Sequence, residues 1–172
     1  AVLHTWTRAM LFHPHVHMLV TAGGLTPDDQ IWVEPKHPKF LVPDPALSVI
    51  FRAKFCAGLK KAGLLSGVPV PVWKKNWVVH SQYAGRGDKV LEYLGRYVHR
   101  TALTDKRLVA TDDRSVTFSY RDSRDDVRKS MTLPAHEFLR RFLQHVSPRG
   151  FHRVRAYGLL HSSQRITLRR LQ

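Results

Sequence analysis

His15 and His17 flank a single valine in the run HPHVHMLV, residues 13–20. In a strand, alternate side chains share a face. The spacing therefore predicts two imidazoles side by side, with Val16 turned the other way. Two such rings offer two nitrogen ligands to a metal ion. Tyr93 and Tyr97 stand four apart in EYLGRYVHR, residues 92–100. On a helix that separation puts both phenols on one face. A phenolate can attack phosphorus and keep it in a covalent bond. A divalent ion beside it would polarise the phosphate and stabilise the departing oxygen. Arg96 and Arg100 belong to the same stretch and could hold neighbouring phosphates. Neither pair is decisive alone, because the chain has 11 histidines and tyrosines at this spacing commonly just pack.

The charge balance says what such a centre would act on. Lys and Arg number 28 against 13 Asp and Glu, a net charge of +15. Such an excess implies a polyanionic partner, most simply nucleic acid. It would lend affinity without sequence choice, weakened by salt. Arg121, Arg124 and Lys129 surround a predicted hairpin turn that could reach DNA, or form a solvated edge that discourages sheet aggregation. Trp6, Trp73, Trp77, Tyr83 and Tyr120 could stack on unpaired bases, although Trp77 fits a core equally well. No GxGxxG or GxxxxGK[ST] element is present, so no nucleotide cofactor is expected. No apolar run is long enough to span a membrane, and no membrane partner is expected. The single cysteine, Cys56, excludes an internal disulfide and a cysteine zinc cluster. It points to a reducing, cytoplasmic setting.

The elements that must position these residues can be read from periodicity and breakers. Val2 to Arg8 and His15 to Thr21 are predicted strands. Asp44, followed by Pro45 at the first helical position, opens a helix that ends near Gly63. Residues 67–71 read as a proline-rich loop and Lys75 to Gln82 as a strand. A helix is predicted from Asp88 to about residue 99, carrying both tyrosines. Lys106 to Thr111, Ser115 to Arg121 and Val127 to Leu133 predict three antiparallel strands with aspartate-rich turns. Pro134 starts another helix, and Phe151 to Tyr157 alternates as a last strand. Hairpin-connected strands with helices between them indicate an α+β domain with a mostly antiparallel central sheet.

Taken together, HPHVHMLV, WVVH, YLGRYVHR and the late YGLL at residues 157–160 resemble the rolling-circle insertion-sequence transposases of the two-tyrosine class. These belong to the HUH endonuclease superfamily. The resemblance runs from LHTW near the start to YGLL and implies a ferredoxin-like or palm-like fold over residues 1–172 as one catalytic domain. It implies that His15 and His17 hold Mg2+ or Mn2+ and that Tyr93 and Tyr97 are the nucleophiles. One tyrosine would nick single-stranded DNA at a transposon end, leaving a 5′-phosphotyrosine and a free 3′-hydroxyl. The other would serve transfer into the target strand. It also implies an N-terminal DNA-recognition region beyond this piece of chain. Magnesium needs further ligands. His13, which has the right strand parity, is preferred as the third protein ligand, with His80 and Gln82 as alternatives. A non-catalytic DNA-binding derivative is the competing reading. A zinc hydrolase ranks below it, for want of HExxH or cysteine ligands.

Overall fold

The computed structural model describes residues 1–28, 31–37, 39–85, 87–98 and 100–171; of residues 88, 91, 94 and 96 it describes the backbone alone. The chain is α+β, and all of its named strand pairs are antiparallel. It divides into two compact units, residues 1–20 with 86–172, and residues 21–85. No helix among the described residues is long and apolar enough to cross a membrane.

The first unit opens with β1 (Val2–Trp6) paired to β2 (Phe12–His17). β1 buries Val2, His4 and Trp6 and leaves Leu3 and Thr5 half-buried. That is the alternation expected of a strand with one face on a core. The turn between the strands closes through Thr7, whose carbonyl accepts from the Met10 backbone N–H at 3.0 Å. Met10 adopts φ 59 and is fully buried. A left-handed backbone is uncommon for a residue with a Cβ, and here it delivers the thioether into the main apolar cluster. That cluster joins Met10 to Phe118 and Leu133, with Leu103, Tyr120, Met131 and Phe138 against it.

In the second unit β3 (Gly24–Leu25) and β4 (Trp32–Val33) form a short hairpin. Helix α1 (Asp44–Lys61) follows, and Gly63 beyond it takes φ 70. This is the left-handed residue that commonly stops a helix. The proline-rich loop contains a helical turn, α2 (Val70–Lys74), with Pro71 in its first turn. The strand expected at Lys75 to Gln82 is absent; the segment is irregular. Its carbonyls are taken by side chains of α1 instead. Ser48 donates to Trp77 O at 2.5 Å, and Arg52 donates to Trp73 O and Lys75 O. Trp73 and Trp77 stack at 5.7 Å, and Phe51 and Phe55 both pack against Trp77. These tryptophans thus form an aromatic cluster of their own unit. His80 pairs with Asp44 at 3.4 Å, and the same carboxylate accepts from the Ser81 N–H.

The remaining elements return to the first unit. Helix α3 (Asp88–Val98) carries the tyrosines. A three-stranded sheet follows, β5 (Leu108–Thr111), β6 (Ser115–Arg121) and β7 (Arg128–Pro134), in the order β5-β6-β7. Helix α4 (Ala135–Leu143) packs on β6 and β7, with Phe138 against Phe118. The strand expected at Phe151 to Tyr157 shrinks to one bridge, Val154 opposite Val2, on the free edge of β1. The chain ends in α5 (Arg165–Arg170).

Candidate metal and nucleophile centre

The register of β1 and β2 builds the centre. His4 lies directly opposite His15, and Val2 opposite His17. Directly paired residues project to the same side, so His4, His15 and His17 share one face. Their ring centroids are 5.0 to 5.5 Å apart. One donor atom from each lies within 4.8 Å of the others, the single such metal-competent group found among the described residues. Trp6, next on the same face of β1, stacks on His4 at 4.7 Å and 20°.

Hydrogen bonds fix two of the rings. His4 Nε2 donates to Tyr97 O at 2.8 Å, and His15 Nδ1 donates to His13 O at 2.7 Å. A carbonyl can only accept, so these nitrogens carry the protons. His4 Nδ1 and His15 Nε2 are left with lone pairs. A histidine whose second nitrogen donates to a carbonyl is the usual arrangement of a metal ligand. Burial, first of all, lowers the His4 pKa, and burial together with the neighbouring His15 takes His17 down to about 4. Both shifts, at His4 and His17, favour the neutral imidazole that binds metal. The donor set fits a divalent ion with nitrogen affinity.

Helix α3 brings the tyrosines to this face. The Tyr97 ring is 3.9 Å from that of His17 and 5.8 Å from that of His4. Tyr93 follows at 4.8 Å from Tyr97. The Arg100 guanidinium carbon is 5.6 Å from the centre of the Tyr97 ring, and the Arg153 carbon is equally far from that of Trp6. His15, His17, Tyr93, Tyr97 and Arg100, named from spacing alone, therefore gather in one place. The Arg96 side chain lies outside the described residues.

His13 stands apart from the metal-competent group. It is exposed, its ring is 5.3 Å from that of His15, and its contribution is the carbonyl that orients His15. The histidine grouped with His15 and His17 is His4, which sequence reasoning passed over. The one signal was its place in LHTW, an alternating strand whose register no local pattern reveals. His80 and Gln82 belong to the other unit. At the β6–β7 turn, Lys129 pairs with Asp122 and Asp125 at 2.6 and 2.8 Å, and Arg121 with Asp126 at 3.1 Å. Much of that charge is answered within the hairpin. Arg124 has no carboxylate partner among the described residues.

No solved structure matches this chain. It is similar to a curated protein named "Putative transposase y4qJ" from Sinorhizobium fredii, 42% identical over 181 aligned positions, covering 93% of this chain and 45% of that protein. It is also similar to the "Transposase for insertion sequence element IS801" of Pseudomonas savastanoi pv. phaseolicola, 27% identical, covering 92% of this chain and 42% of that protein. The chain thus spans somewhat under half the length of these relatives. The family model described as "Putative transposase", Y2_Tnp, matches residues 1–166. With nearly the whole chain inside that match, the protein belongs to the Y2 transposase family.

Proposed function

We propose that the unit of residues 1–20 and 86–172 is the catalytic part of a metal-dependent HUH transposase that nicks and rejoins single-stranded DNA. The observation that carries this reading is the Tyr97 ring 3.9 Å from His17, within a face where three histidine donors converge. His4, His15 and His17 would hold the ion. Three nitrogen donors suit Mn2+ better than Mg2+, which prefers an oxygen shell. Such an ion would supply Lewis-acid polarisation of the scissile phosphate. Tyr97, nearer the histidines, makes the first cut. Its phenol gives up its proton as the oxygen bonds to phosphorus, the bond from phosphorus to the 3′ oxygen breaks, and that oxygen takes up a proton and leaves as a hydroxyl. The 5′ phosphate stays esterified to tyrosine. Tyr93 is placed to receive a second strand in the same way. Each phosphodiester broken becomes a phosphotyrosine ester that a 3′-hydroxyl can reverse, so joining needs no nucleotide cofactor. Arg100 steadies a phosphate beside Tyr97.

The test is a covalent adduct. Labelled single strands covering the ends of the element that encodes the chain are incubated with the protein in Mn2+ or in EDTA and resolved under denaturing conditions. An adduct is expected with Mn2+, none with EDTA, and none in the Tyr93→Phe, Tyr97→Phe double variant. Tyr97→Phe alone should lose most of it. Tight binding without adduct on these strands would favour the non-catalytic module instead.

A further inference from the structure

A second feature of the first unit lies at its C-terminal end. The segment from His152 to Leu168 lines an open, shallow cavity of about 670 Å³, within the roughly 300–1,000 Å³ typical of small-ligand sites. Arg155, Arg165, His152 and His161 contribute to its wall, and no Asp or Glu does. Neither arginine meets a carboxylate among the described residues. Arg155 is held by its Nε, which donates to His152 O at 3.4 Å, and by the Phe151 ring 5.7 Å from its guanidinium carbon. Its terminal nitrogens make no hydrogen bond among the described residues. His161 Nδ1 accepts the Ser163 backbone N–H at 3.2 Å, so its Nε2 is the protonated, donating nitrogen. Tyr157 and Leu160 complete the wall while remaining 60% and 46% exposed. Donors for an anion thus stand beside bare apolar surface for a flat ring.

The cavity is tied to the strand that carries His4. Arg155 N–H donates to Ala1 O at 2.9 Å, and Leu3 N–H donates to Arg153 O at 2.9 Å. Val154, in the cavity wall, sits opposite Val2. His4 is two residues farther along β1, roughly 7 Å at strand rise. One DNA strand can therefore span both places.

We propose that this cavity is a nucleotide subsite for single-stranded DNA. Arg155, Arg165 and His161 hold one phosphodiester, and Tyr157 stacks on the adjoining base, a short step from the cleaved bond. The proposal rests on the DNA reading above but not on the nicking chemistry. The test is binding of fluorescein-labelled oligothymidylate in EDTA, followed by anisotropy across a salt series. The Arg155→Ala, Arg165→Ala double variant should bind about tenfold more weakly at low salt. Its log–log salt slope should be shallower by about 0.7 for each phosphate it no longer neutralises. Tyr157→Ala should lose about fivefold or more with the slope unchanged, Tyr157→Phe should bind like the wild type, and an abasic strand should erase the difference. If the double variant melts early, Arg165→Gln carries the test, since that side chain makes no hydrogen bond among the described residues. Wild-type protein that binds no oligothymidylate sinks both the subsite and the DNA reading. Wild-type binding with every variant unaffected in affinity and slope overturns the subsite alone.

Discussion

Replacing His4 with alanine removes one of three nitrogen donors and leaves His13 untouched. Mn2+ affinity by calorimetry should fall at least about tenfold in His4→Ala and stay near wild type in His13→Ala; the reverse order would return the third ligand to His13. The same side chains give a pH signature. His17 ionises near 4 in the folded protein against 6.5 in an open chain, and His4 is shifted the same way. Above pH 6.5 both states are neutral, and the folded state keeps its full stability. As pH falls from 6.5 toward 4, the unfolded chain takes up protons that the folded chain refuses, so stability drops. Urea midpoints of the metal-free protein should fall between pH 7 and 5, and His17→Asn should flatten that fall. At this scale the sequence was most legible where spacing is local. His15 with His17 and Tyr93 with Tyr97 follow from strand and helix periods. His4 does not, because its partnership with His15 depends on which residues face each other across two strands.

Between elements, Arg107 joins three separate segments. Its guanidinium donates to Ser119 O at 2.8 Å on β6, to Ala102 O at 2.9 Å after α3, and to Arg8 O at 2.6 Å beyond β1. One planar fork thus ties the tyrosine helix's exit to the histidine hairpin and to the second sheet. Arg107→Ala should cost about 2 kcal/mol or more in urea denaturation, because half-buried carbonyls lose their donors. Arg107→Lys should recover little of it, since an ammonium cannot reach three divergent acceptors. The elements themselves were largely legible. Strand β6 begins and ends where its alternation does, and α1 and α3 start at their aspartates. The failures share a cause. Residues 75–82 alternate like a strand, yet Ser48 and Arg52 supply the donors that a neighbouring strand would have supplied. Residues 151–157 find one pairing on β1 and then turn away to wall the C-terminal cavity.

For the whole molecule, the positive excess is the feature with the longest reach. Single-strand affinity should drop by more than about tenfold between roughly 50 and 200 mM salt, which titration at fixed pH checks; a flat profile would detach the charge from DNA binding. Charge suggested a class of partner, but it could not say which cations stand where. The β6–β7 turn answers most of its own, whereas Arg100, Arg153, Arg155 and Arg165 have no carboxylate partner among the described residues. Met10 adds a different kind of dependence. The hairpin bearing the proposed ligands is also anchored through the Met10 thioether to Phe118 and Leu133, more than a hundred positions later in the chain. Inherited damage to that distant pair would therefore be read out as lost metal binding, with every ligand still encoded. A copy could look competent in its catalytic letters and already be a relic.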